Sequence, residues 1–188
     1  MIRAPTATMP DDLFDSGKDF MKINRYLQTA FVTAFAFTAS VYAAPIELEG
    51  FSLTRDIPCN GNDVTISGNG NNIVLTGQCA AISIMGSEHN VTFDTATSLT
   101  VTGSEIAVTG QSTGNLTVAA YKNTIRTHIV ADDKPVKVNV TGTEHHLDLD
   151  FKGPTVVSFN GISNHLSWGG TEPRLSSSGA NNVIKQKP

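Results

Sequence analysis

Charge is scarce in this chain of 188 residues: Asp, Glu, Lys and Arg make up 16% of it, and the formal net charge is -4. Its Lys and Arg are scattered rather than clustered, which excludes the basic footprint of a nucleic-acid binder. Cysteine is limited to two residues, and no further thiol exists to complete a soft metal site around them. Long apolar runs are missing as well. The main one, from about Leu27 to Phe37, is too short to cross a bilayer. Helical periodicity is also lacking, because apolar residues three and four apart do not recur.

What does recur is a coil of 17 to 19 residues. One column of positions reads Asn71, His89, Ile106, Asn123, His145, Asn164, Asn181. Two places on, every entry of the column is apolar: Ile73, Val91, Val108, Ile125, Leu147, Leu166, Val183. The steps are 18, 17, 17, 22, 19 and 17 residues, with the long one accommodating an insertion at Asp132 to Pro135. Half a period earlier lies a second apolar column, Val64, Ile82, Leu99, Leu116, Val138, Val157, Leu175. Its partners two residues on are Ile66, Ile84, Val101, Val118, Val140, Phe159 and Ser177. Two short period-two runs per coil are strand signals. A single coil buries little, so coils must stack with apolar columns aligned. The fold class expected is therefore all-β: a single small β-solenoid of about seven two-strand coils.

Asn and Gly suit the turns, since both tolerate left-handed backbone and Asn can bond neighbouring backbone groups. That reading covers Asn71, Asn72, Asn90, Asn123, Asn164, Asn181 and Asn182. The segment Pro45 to Pro58 is expected to lie outside the repeat, with Ile46, Leu48, Phe51 and Leu53 covering the apolar end of the stack. At the other end Ser177 and Lys185 replace apolar residues, as a last coil should.

Ahead of the repeat, MKINRYLQTAFVTAFAFTASVYA from Met21 to Ala43 has Lys22 and Arg25, an apolar run and then small residues. This is the grammar of a signal peptide cut after Ala43. The domain reading is thus a leader at 1–20, a signal peptide at 21–43, a cap segment at 44–58 and a solenoid at 59–188. Asp11, Asp12, Asp15 and Asp19 are unusual before a signal, so Met21 is expected to be the true start. No cysteine follows the cut, which argues against a lipid anchor, and no membrane span is expected in the mature chain. Export to a periplasmic or extracellular space makes a disulfide the natural reading of Cys59 and Cys79, 20 residues apart and close to one coil. A loop of that size contributes roughly 3 kcal/mol.

Chemistry has few places to sit. Arg126 and His128 should stack on Asp148 and Asp150, about 4.8 Å away across the ladder; a salt-bridge patch is the plain reading, since nothing supplies a nucleophile or cleft. His145, His146 and His165 gather at one corner with Glu144 beside them, a spacing that suits zinc or copper. They also occupy columns where Asn stands elsewhere, which makes them substituted turn residues on the competing reading. Calcium of the toxin β-roll type is excluded, because Val64 and Ile73 stand where that repeat needs Asp. An outward column of Thr65, Ser83, Thr100, Thr117, Asn139, Ser158 and Ser176 forms a rank of small polar groups. Beside it run Ser67, Met85, Thr102, Ala119, Thr141, Asn160 and Ser178. Thr is also an ordinary choice for a solvated strand.

The run CNGNDVTISGNGNNIVLTGQC, from Cys59 to Cys79, followed by GSEHNVTF, resembles the bacterial domain-of-unknown-function family 3060, over about Cys59 to Trp168. Its members are typically exported and built from Gly-Asn-Val-Thr repeats after a cysteine. The resemblance implies export, the disulfide and the solenoid, and it implies no catalytic residue. His145, His146 and His165 depart from the family's usual Asn. The function expected is a non-enzymatic, exported structural or surface-interaction module without a cofactor. Its partner is a polysaccharide or another protein, and unpaired strand edges allow an end-to-end homo-oligomer. The alternatives are a periplasmic metal binder using the histidine corner and a protein that binds or acts on cell-wall polysaccharide.

Overall fold

The structure is a computed structural model and describes residues 44–188. The expected leader at 1–20 and signal peptide at 21–43 lie outside the described residues. The described chain is all β: β1 (Ile46–Phe51), β2 (Thr54–Pro58), β3 (Val64–Asn69), β4 (Asn72–Ser87), β5 (Asn90–Ser104), β6 (Ala107–Tyr121), β7 (Thr124–Val130), β8 (Val136–Thr143), β9 (His146–Lys152), β10 (Thr155–Ile162), β11 (His165–Gly170), β12 (Arg174–Ala180) and β13 (Val183–Gln186). Every strand pairs in parallel with the strand one coil away. The result is a β-solenoid of about 8 turns with about 18 residues per turn.

Side chains that repeat at the coil period lie directly over one another. On the first face Val64, Ile82, Leu99, Leu116, Val138 and Val157 are in register and buried. On the second, Ile73, Val91, Val108, Ile125, Leu147 and Leu166 do the same. Each such side chain contributes roughly 1.5–3 kcal/mol by leaving water, a gain available only once its coil has neighbours. Where the column narrows, a neighbour fills it. A Cβ on Gly110 would lie 2.0 Å from Cζ of Phe93, so that ring takes the space a side chain would have had.

Two expectations need correction. Pro45 to Pro58 is not outside the repeat: Ile46 pairs with Val64, Leu48 with Ile66, and Asp56 with Val74, so β1 and β2 form a further coil. The sequence there lacks the Asn corner, since Leu53 takes its place, but Gly50 keeps the turn. At the far end the last coil is displaced by one residue from the expected alignment. Leu166 pairs with Ile184, not Val183, and Asn182, not Asn181, enters the corner ladder, its Oδ1 accepting from the Asn164 amide at 3.1 Å. Consequently Gln186 takes the inward place and Lys185 faces out, beside Ser167.

The coils approach closely at one glycine column. Gly68, Gly86, Gly103, Gly161 and Gly179 all have positive φ, and a Cβ on any of them would fall 1.9–2.0 Å from the carbonyl oxygen of the coil before. Only glycine fits such contact without displacement. Ala120 occupies the same column at φ 85.

The expected disulfide is present. Cys59 and Cys79 are bonded with Cα atoms 4.9 Å apart, and both are fully buried. It ties the connection after β2 to β4 in the next coil.

Candidate functional site

The Thr/Ser column stands where the repeat places it. Thr65, Ser83, Thr100, Thr117, Asn139, Ser158 and Ser176 are consecutive register partners across the first face. The neighbouring column, Ser67 to Ser178 through Met85, Thr102, Ala119, Thr141 and Asn160, is equally in register. Neither column carries a charge from Thr65 to Ser178. Pleating turns alternate side chains out of the sheet, so these groups project at the inter-coil spacing of about 4.8 Å. Within them Asn160 Nδ2 donates to Ser158 Oγ at 2.9 Å, and Ser178 Oγ donates to Asn160 Oδ1 at 2.7 Å. Met85 is exposed on this face, and Phe51, Tyr121 and Ile162 are exposed at the ends of its strands.

The corner beside that face is a buried polar ladder. Asn123 accepts the Ile106 amide through Oδ1 at 3.0 Å and donates from Nδ2 to the Gly103 and Ala119 carbonyls at 2.9 and 3.0 Å. Asn71, Asn164 and Asn182 repeat this three-bond pattern. His89 and His145 imitate it. The Nδ1 atom of His145 accepts from the Asn123 amide at 3.2 Å, which fixes the proton on Nε2, and Nε2 donates to the Thr141 carbonyl at 3.3 Å. His89 does the same with the Asn71 amide and the Met85 carbonyl.

This geometry makes His145 the substituted turn residue of the competing reading and takes one ligand from the alternative metal trio. His145 is fully buried with both ring nitrogens engaged, so it has no lone pair to offer a metal. Burial, reinforced by the neighbouring His146, also holds its pKa below the ordinary histidine value. His146 and His165 are exposed and stack face to face at 4.9 Å, but they are two ligands, not three. Among the described residues no group of three or more His, Cys, Asp or Glu is placed to hold a metal. Sequence spacing put all three at one corner correctly; which of them point inward was decided by the turn.

The second face carries an ion-pair network. Arg126 Nε pairs with Asp148 at 3.2 Å and His128 Nε2 lies 3.5 Å from Asp150, as the coil spacing predicts. His128 Nδ1 donates to the Gln111 carbonyl at 2.6 Å. A further participant, Lys187, was not foreseen. Its Nζ bonds Asp148 and also Asp150, the latter at 3.0 Å. It reaches back two coils because Gly169, the residue between, has no side chain. Lys187 and then Arg126 hold the Asp148 carboxyl below its usual pKa. These groups form two adjacent columns that Lys187 bridges, and they satisfy one another as a surface ion-pair network does.

Residues 66–123 match the family model for a protein of unknown function, DUF3060. The resemblance holds over this stretch, from β3 to the corner residue Asn123. It covers four successive corners, Asn71, His89, Ile106 and Asn123, and includes neither Cys59 nor the stretch from Thr124 to Trp168. No curated protein and no solved structure matches the chain. The matching family is one of unknown function and assigns no chemistry to the repeat.

Among the described residues no helix is long and apolar enough to cross a membrane.

Proposed function

We propose that the chain is an exported, non-enzymatic surface module that lays its Thr/Ser face against a hydroxyl-bearing polymer. The observation that carries this reading is the pair of uncharged, in-register columns running from Thr65 and Ser67 to Ser176 and Ser178. A flat rank of hydroxyl and amide groups at constant spacing suits a partner that is itself repetitive, because each additional coil adds the same contact and weak contacts sum. On the second face Arg126, His128, Asp148, Asp150 and Lys187 are already paired with one another, which favours a binding role over catalysis. Export is supported by the buried Cys59–Cys79 disulfide, a bond that persists in oxidising compartments.

The experiment is co-sedimentation of the purified protein with insoluble cell-wall polysaccharide, beside a Thr100→Lys/Thr117→Lys variant. Both positions lie at the middle of the face, and lysine there breaks its flatness and neutrality while leaving the core intact. Wild-type protein should pellet with the polymer and the variant should stay in solution with an unchanged melting temperature. Equal pelleting by both would remove the face from the reading.

A further inference from the structure

Three departures from the repeat converge on one place, the side of the solenoid that connects the second face to the first. The chain steps 22 residues from Leu116 to its register partner Val138, against 17 from Leu99 to Leu116, and the extra residues, 131–135, form a wall. Thr113 lies in an inward column whose other members include Cys79, Ala96, Ile129 and Phe151. It is 1% exposed, and its Oγ1 has no hydrogen-bond partner in the protein. Gly114 follows, at a point where a Cβ would fall 2.5 Å from the Thr97 carbonyl oxygen. A repeat gains nothing in stability from a polar residue in an apolar column, nor from an insertion that no strand extends. Local rules broken together in this way mark places kept for a ligand.

What lies there is an open groove of about 660 Å³. Its volume is within the range of small-ligand sites, roughly 300–1,000 Å³. Gln78, Thr97, Ser112 and Thr113 line its floor, and Asp132 and Asp133 its wall. Hydroxyls and an amide both donate and accept, and a carboxylate accepts from two hydroxyls at once. Lys134, also on the wall, adds a donor. This is the complement of a chain of vicinal hydroxyl groups.

We propose that the groove under residues 131–135 binds a soluble saccharide chain. The site is distinct from the Thr/Ser face and does not rest on it. The floor lies within the DUF3060 segment and the wall outside it.

Calorimetric titration of the purified protein with cellotetraose, maltotetraose and the tetramer of N-acetylglucosamine tests this. One of the three should bind saturably. Asp132→Asn/Asp133→Asn should weaken that binding at least tenfold, because the wall loses its charge-assisted acceptors. Gln78→Ala should weaken it too, because the groove loses an exposed amide that both donates and accepts. Thr100→Lys/Thr117→Lys should bind the soluble sugar as wild type does, which separates this site from the face. Absence of binding by all three sugars, or binding undiminished in the Asp132→Asn/Asp133→Asn chain, overturns the proposal.

Discussion

Removing one amide from the corner ladder measures how the coils are held together. Asn123 is fully buried, and truncation in Asn123→Ala leaves the Ile106 amide and the Gly103 and Ala119 carbonyls without the partners they have now. An orphaned buried backbone group costs about 1–3 kcal/mol. Three of them, partly relieved by relaxation, give an expected loss of about 3–6 kcal/mol, a large share of a typical domain's stability of about 5–15 kcal/mol. Asn123→Asp keeps the acceptor but turns an anion toward two carbonyls, so it should cost at least as much at neutral pH. Burial and those carbonyls raise the new carboxyl's folded pKa; its penalty is therefore absent below the unfolded pKa of about 4 and grows as pH rises through the folded value. Asn123→His should be mild, about 1 kcal/mol for one donor bond lost, because His89 and His145 already serve in the same column. Urea unfolding followed by far-ultraviolet circular dichroism gives the midpoints, compared at constant slope. A loss under about 1 kcal/mol for the alanine variant, or a histidine variant as damaged as alanine, would refute the ladder argument.

Three further outcomes are expected. Gly86 and Gly77 both have positive φ, but a Cβ would meet the Gly68 carbonyl oxygen at 2.0 Å in the first and nothing within 4 Å in the second. Gly77→Ala should thus cost about 1–2 kcal/mol from backbone strain and Gly86→Ala about 3–5 kcal/mol, and equal urea midpoints would show that coil spacing is not set by this contact. Reduction of Cys59–Cys79, or Cys59→Ala/Cys79→Ala, should remove about 3 kcal/mol; thermal melts with and without dithiothreitol read it, and a shift confined to the wild type is the required control. His145 has a folded pKa below its ordinary 6.5, chiefly through burial, so its contribution is fully present above that value and declines as pH falls toward the folded pKa. His145→Asn, which installs the side chain found at Asn123 and Asn164, should flatten the urea midpoint between about pH 7 and about pH 5, and an unchanged slope would assign the acid sensitivity elsewhere.

Much of the coil was legible without coordinates. Because a stacked strand meets only the strand one period away, a list of positions one period apart is already a list of contacts. That is why the Val64, Ile73 and Thr65 columns, the Cys59–Cys79 bond and the Arg126–Asp148 and His128–Asp150 pairs could be read from spacing. The glycine column at Gly68, Gly86, Gly103, Gly161 and Gly179 was equally visible in the sequence, although its meaning, backbone approach too close for a Cβ, needs coordinates.

Tertiary structure decided what periodicity leaves degenerate. In the tandem pair Asn181-Asn182 either residue satisfies the repeat. The turn assigns the left-handed place to Asn181, φ 56, and the ladder to Asn182. Of three histidines at one corner, the turn buries His145 and consumes both its nitrogens, while His146 and His165 remain outside and stacked. Lys187 finds Asp148 across a coil only because Gly169 leaves the path open. The groove at Thr113 exists because an insertion folds over it. In sequence that insertion was merely a longer step. A repeat dictates which residues are neighbours; the inward or outward choice at a turn, the reach of a long side chain and the course of an inserted segment depend on space left by others, which only the folded chain defines.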